Sequence, residues 1–225
     1  MTGSATWDRF CRFRSDLPAL GFSLDASRMG LDQPFLDRLA TPLAQAFAAM
    51  AALEGGAIAN PDEQRMVGHY WLRAPALAPR PELRVEIETA LAAVKAFAAD
   101  VHAARVKPEQ AARFTRLLCV GIGGSALGPM FVADALGGPG RDRLAPEFLD
   151  NTDPDGFARV LARLGAALPE TLVLVTSKSG GTPETRNGML AVEAAYRRAG
   201  LSFARHAVAI TQIGSALDQR ADQAG

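Results

Sequence analysis

"LVLVTSKSGGTPETRNGML", residues 172–190, decides the fold of this chain. The apolar run Leu172–Val175 stops abruptly, a stretch rich in hydroxyls and glycine follows, and an amphipathic helical pattern begins after Pro183. That order is the signature of a buried strand, a polar turn and a crossover helix. Three more runs follow the same grammar: "RLLCVGIG", "APEFLD" and "HAVAIT". Repetition of strand, loop and helix predicts an α/β fold with a parallel sheet covered by helices on both faces. Strands buried on both sides need no polar alternation, which explains why these runs are uninterrupted. In such sheets ligands bind beyond the carboxyl ends of the strands, so function is expected just after Val120, Leu149, Val175 and Ile210.

Before Phe114 the grammar differs. Residues 1–112 read as an all-helical segment, and residues 113–225 as the α/β domain. "LDQPFLDRLATPLAQAFAAMAALEGG" carries apolar residues at helical spacing and stops at Gly55 and Gly56. "NPDEQRMVGHYWLR" offers Asn60 as an N-cap, Pro61 at the first helical position and Glu63 as the capping-box acid, which predicts a helix start there. From Pro81 to His102 one apolar stripe (Leu83, Ile87, Leu91, Val94, Phe97, Val101) predicts a long amphipathic helix.

Composition narrows the function classes. Twenty-four basic and twenty-four acidic side chains cancel, so the chain lacks the field that holds a polyanion, and nucleic acid is excluded as a partner. No apolar stretch reaches membrane length, and the first residues, "MTGSATWDRFCRFR", lack a signal peptide's apolar segment. The two cysteines, Cys11 and Cys119, make no disulfide framework; Cys119 reads as a small buried hydrophobe. A reducing cytoplasm is the expected setting.

Two polar loops carry the chemistry. In "GIGGSALGP", Gly121, Gly123 and Gly124 permit a tight turn with positive φ, and Ser125 stands at the mouth of the following helix, where exposed N–H groups attract anions. Gly121, Gly123 and Ala126 also satisfy a relaxed dinucleotide pattern, but Asp150, which ends the next strand, lies well past the spacing of about 20 residues such a site uses. In "SKSGGTPET", Ser177, Ser179 and Thr182 supply hydroxyls, Gly180 and Gly181 free backbone N–H groups, and Thr182 and Pro183 start a helix. One such loop is what any polar turn with a good cap looks like; two after neighbouring strands point to a grip on a single phosphate group. Lys178 can add a point charge, or use only its backbone N–H.

"GIGGSALGP" and "SKSGGTPET" resemble the two phosphate loops of the glucose-6-phosphate isomerase family, as do the spacing between them and the segment "NPDEQRMVGHYWLR". Ser179 and Gly180 stand where the commoner family form has Thr and Phe, a variant similar to that of a known subgroup. The resemblance implies a sugar-isomerase (SIS) αβα sandwich. It also implies reversible conversion of glucose 6-phosphate to fructose 6-phosphate through an enediolate, in glycolysis and gluconeogenesis, by a homodimer using neither metal nor organic cofactor. It assigns substrate phosphate binding to Gly124, Ser125, Ser177, Lys178, Ser179, Gly180, Gly181 and Thr182. No catalytic residue is expected in this chain: the family's base, its enediolate-stabilising arginine and its ring-opening groups belong to segments beyond Gly225. The chain is therefore expected to stop inside the first SIS domain, to be inert alone, and to leave the strand near His206–Thr211 as an open edge. A non-catalytic sugar-phosphate sensor is the alternative. Among candidates within the chain, Glu184 reads as a dipole-complementing acid, His69 as a packed residue rather than a proton carrier, and His102 and His206 as lacking a surrounding constellation. Asp150 and Asp153 read as helix-capping rather than metal-binding.

Overall fold

The computed structural model describes residues 3–224. They form two compact units, one running to Ala90 and the other starting at Leu91.

The N-terminal unit is not all helical. Helices α1 (Gly3–Phe13) and α2 (Gln33–Glu54) flank an antiparallel hairpin of β1 (Arg14–Leu17) and β2 (Phe22–Asp25). Both strands are exposed along their whole length, so they carry no burial-driven alternation for a sequence reading to detect. Their turn is made by a 3-10 segment, Pro18–Leu20, closed by Gly21 at φ +60°. Asp32 caps α2 by accepting from the Phe35 N–H at 2.8 Å, and the helix stops at Gly55 as expected. Trp71, buried, donates its indole N–H to the Glu54 carbonyl at 3.1 Å, satisfying one of the acceptors a helix end leaves open.

The helix expected from Asn60 is absent. Asn60 does accept from the Glu63 N–H at 3.0 Å, the bond an N-cap makes, but Gln64 then adopts φ +51°. The chain doubles back instead, pairing β3 (Ile58–Asn60) with β4 (Arg65–Met66). An Asx turn and a helix cap use the same side-chain acceptor, and the residue after the turn decides between them. The helix in this segment is α3 (His69–Arg73), and α4 (Pro81–His102) takes the limits its stripe predicts.

The second unit holds a four-stranded parallel sheet of β5 (Arg116–Val120), β6 (Ala145–Leu149), β7 (Thr171–Thr176) and β8 (Ala207–Ile210), in the order β6-β5-β7-β8. Every strand sits where its apolar run places it. Successive side chains point to opposite faces of a strand, and this builds two cores. On one face Leu118, Val120, Val173 and Val175 pack with residues of α6 (Pro154–Leu164) and α7 (Pro183–Arg198), among them Val160, Leu164, Met189, Val192 and Tyr196. On the other, Leu117, Leu172, Leu174 and Val208 meet Phe97 and Val101 of α4 and Phe114. The remaining helices of the unit are α5 (Gly124–Leu136) and α8 (Ala216–Ala224).

Under the amino ends of β7 and β8 lies a polar knot. Tyr196 donates to the Thr171 carbonyl (2.9 Å) and the Leu168 carbonyl (3.2 Å). Burial raises its phenol above the ordinary range, although the bond to Thr171 opposes the shift. His206, 1% exposed, places Nδ1 3.1 Å from the same Thr171 carbonyl, and Nε2 4.0 Å from a Glu109 oxygen. The His206 ring also meets Phe114 edge-on and Tyr196 at a tilt. His206 thus has a constellation the sequence reading missed, and it ties strand ends together on the side of the sheet away from the loops.

At the other end, Gly180 (φ +69°) presses the β7–α7 loop onto α8: a Cβ there would stand 2.4 Å from the Leu217 nitrogen. Gly124, on the first turn of α5, has open space around it. Gly180→Ala is expected to cost on the order of 2 kcal/mol or more, combining left-handed strain with the clash. Gly124→Ala is expected to be neutral or stabilising by up to about 1 kcal/mol. Urea unfolding of the two variants measures both. Burial pushes the Cys119 thiol up to about 11, whereas Cys11 is exposed. Since only the thiolate is nucleophilic, iodoacetamide at pH 8 is expected to label Cys11 and spare Cys119 until the chain unfolds; equal labelling rates in the folded state contradict this.

Candidate phosphate-binding site

The two loops leave adjacent strands at the same level. Val120 pairs with Val175, so Gly121 and Thr176 are neighbours, and a Cβ on Gly121 would lie 3.3 Å from the Thr176 carbonyl and 3.0 Å from the Ser125 Cβ. This close approach favours glycine at residue 121, since an added Cβ would make its neighbours give by a few tenths of an ångström. Of the three glycines expected to turn the chain, only Gly123 has positive φ (+57°), and it is the N-cap of α5. Gly124 and Ser125 therefore occupy the first turn of α5, and the Ser125 N–H donates to the Ile122 carbonyl at 3.2 Å, a turn bond rather than a helical one. Ser125 is half-buried.

The second loop is organised by its own hydroxyls. Ser177, 4% exposed, donates to the Thr182 hydroxyl at 3.2 Å and accepts from the Gly180 N–H at 3.2 Å. Ser179 accepts from the Gly181 N–H at 3.3 Å. Thr182 is the N-cap of α7 by position and Pro183 follows it, as expected, but its side chain makes no capping bond. Proton bookkeeping separates the three hydroxyls. Ser177 spends its hydrogen inside the loop, whereas Ser179 and Thr182 act as acceptors there, and those bonds leave their own hydrogens unused. Lys178 and Gly181 are exposed and Gly180 half-buried. The described geometry therefore draws Ser177, Gly180 and Thr182 into direct contact. Ser125 reaches the same sheet edge through Gly121.

The other candidates lie apart. Glu184 is half-buried in the first turn of α7, where an acid complements the helix dipole. His69, expected to be packed, is exposed at the start of α3 beside Tyr70; a five-residue helix has little surface to bury it against. Asp153 caps α6, accepting from the Asp155 and Gly156 N–H groups at 3.1 and 3.0 Å. Asp150 accepts from the Asn151 side chain at 3.0 Å. No helix of the described residues is long and apolar enough to cross a membrane.

A third loop, between β8 and α8, bears on the site and was not resolved residue by residue from the sequence. Thr211 donates to the Ser177 carbonyl at 2.6 Å, and the Gln212 N–H donates to the Lys178 carbonyl at 3.2 Å. "TQIGS", residues 211–215, has the hydroxyl and glycine content of the other two loops. That composition was the available signal.

The comparisons with known proteins agree with one another. The profile of the family described as Phosphoglucose isomerase matches residues 25–219. Among similar sequences, a glucose-6-phosphate isomerase of Cyanothece sp. (strain PCC 7425 / ATCC 29141) is 56% identical over 225 residues, covering 100% of this chain and 42% of that protein. One of Geobacter sp. (strain M21) is 57% identical over 212 residues, covering 94% of this chain and 40% of its own. Among solved structures, a glucose-6-phosphate isomerase from Chlamydia trachomatis D/UW-3/Cx superposes with a TM-score of 0.79 at 29% identity, over 97% of this chain and 42% of that one. The chain spans about two fifths of the length of the curated relatives it matches. With a four-stranded parallel sheet, two Gly- and hydroxyl-rich loops at its carboxyl edge and a profile match across most of its residues, the chain belongs to the phosphoglucose isomerase family.

Proposed function

We propose that this chain supplies the phosphate grip of an aldose–ketose isomerase that interconverts glucose 6-phosphate and fructose 6-phosphate. In this reading residues 113–225 belong to the first sugar-isomerase domain. The observation that carries it is the β7–α7 loop. Ser177 ties Thr182 and Gly180 together, so that the hydroxyl hydrogens of Ser179 and Thr182 and the N-terminus of α7 serve one small site. Neutral donors with a helix dipole hold a phosphate dianion without a cluster of arginines. Gly124 and Ser125 add the first turn of α5 from the adjacent strand, Gly180 and Gly181 let the backbone approach, and Lys178 adds its N–H and long-range charge.

Chemistry at the sugar carbons needs more than this grip. Moving a proton between C1 and C2 takes a positioned base, and the developing enediolate takes a fixed positive or hydrogen-bonding partner. Glu184, in the first turn of the helix that follows the loop, would stand beside the substrate's dianion, which disfavours it as a base. The reading therefore assigns the proton transfer to other parts of a longer polypeptide, acting as a homodimer.

Calorimetric titration tests the grip. Glucose 6-phosphate and inorganic phosphate are expected to compete for one site, and glucose is expected not to bind it; equal affinity for glucose and glucose 6-phosphate contradicts the reading. Removing the hydroxyls of Ser177 and Thr182 together is expected to cost about 1–3 kcal/mol of phosphate affinity. In a coupled assay the 225-residue chain alone is expected to form no fructose 6-phosphate. Turnover within about a hundredfold of the polypeptide as its gene encodes it would place the base inside this chain.

A further inference from the structure

The β7–α7 loop is not held by packing alone. Behind it lies a cavity of about 270 Å³, lined by Ser177, Gly180, Thr185, Met189, Leu217 and Arg220. What fixes its backbone is a directed chain of hydrogen bonds from the third loop. The Asp218 N–H, in the first turn of α8, donates to the Ser215 hydroxyl at 3.1 Å. The Ser215 and Thr211 hydroxyls are 2.7 Å apart. The Thr211 hydroxyl lies 2.6 Å from the Ser177 carbonyl and 3.4 Å from that of Lys178. A carbonyl only accepts, so Thr211 must give its one hydrogen to Ser177, and Ser215 must therefore donate to Thr211. Every hydrogen then runs one way, from the α8 N-terminus to the Ser177 carbonyl, and bonds in such a series strengthen one another.

We infer that Thr211 is a positioning residue of the phosphate grip: by holding the Ser177 carbonyl toward the β8–α8 loop, it fixes the direction in which the following N–H groups point. The reason is peptide geometry. In a planar trans peptide the carbonyl and the next residue's N–H point in opposite directions. With the Ser177 carbonyl on Thr211 and the Lys178 carbonyl on the Gln212 N–H (3.2 Å), the Lys178 and Ser179 N–H groups are turned to the side away from the third loop. The Ser177 N–H is held as well, donating to the Ile210 carbonyl at 3.0 Å. Without the Thr211 hydroxyl, the Ser177 peptide loses the bond that sets its plane, and the Ser177–Thr182–Gly180 cluster loses its footing.

This inference rests on the phosphate-grip reading, and one experiment separates the two. In the polypeptide as its gene encodes it, Thr211→Val keeps the shape and removes the hydroxyl. It is expected to raise the Kd for inorganic phosphate and the KM for glucose 6-phosphate together by about tenfold, with kcat within about twofold. Thr211→Ser restores the hydroxyl and is expected to recover both constants. An unchanged phosphate Kd in Thr211→Val, a fall in kcat alone, or failure of serine to rescue overturns the positioning role. Should the valine variant not fold, Ser215→Ala carries the test: a weaker shift of phosphate Kd in the same direction supports the relay, and no shift refutes it. The Ser177→Ala/Thr182→Val pair is measured in parallel. If that pair binds phosphate as the parent does, the grip reading itself fails and the role of Thr211 falls with it. If the pair weakens binding while Thr211→Val does not, only the positioning inference fails.

Discussion

Val120, Val175 and Ala209 stand level across β5, β7 and β8, and this parallel register is the constraint on which the site depends. Parallel strands deliver all their outgoing loops to one edge of the sheet, and equal register puts those loops at one height. Gly121 can then touch the Thr176 carbonyl, and Thr211 can reach the Ser177 carbonyl. A slip of one residue in β7 would send the Val173 and Val175 side chains to the wrong face, and it would also carry Ser177 out of reach of its partners. The burial of both faces of β7 guards against that slip, because Val173 and Leu172 are almost wholly enclosed on opposite sides.

The loops pack polar groups at the end of a buried strand, a place where unpaired groups are costly. The solution in the β7–α7 loop is internal pairing: Ser177 is buried but donates and accepts at once, whereas Ser179 and Thr182 each keep one hydrogen unspent. A single buried serine therefore holds the loop together while its more exposed neighbours keep their own hydrogens. Glycine at position 180 serves the same arrangement by letting α8 approach to a distance no side chain allows.

The opposite end of the sheet is built for rigidity. Tyr196 and His206 converge on one carbonyl, that of Thr171, and the Thr171 hydroxyl in turn donates to the Ala167 carbonyl at 2.8 Å. These bonds give the network its direction, although His206 Nε2 is buried without a hydrogen-bond partner among the described residues. Anchoring the amino ends of β7 and β8 there leaves their carboxyl ends level, where the three loops meet.

Strand limits in the second unit, the long helix Pro81–His102 and the stop at Gly55 were legible in the chain, because each is set by local periodicity or by a residue with a restricted backbone. The two hydroxyl- and glycine-rich loops were legible for the same reason: hydroxyls, glycine and a proline-led helix start are local features. The hairpins β1–β2 and β3–β4 were not, since exposed strands leave no burial pattern and Asn60 makes the same bond in a turn as in a helix cap. The ring of partners around His206 and the reach of Thr211 to Ser177 depend on residues far apart in sequence that strand pairing brings together, and which serine spends its hydrogen inside the loop depends on the loop's own conformation. Composition and spacing thus determined that a parallel sheet would end in hydroxyl-rich loops. Only the tertiary structure decided which hydroxyls face each other, because a hydrogen bond depends on direction and distance, and these are set by register rather than by order along the chain.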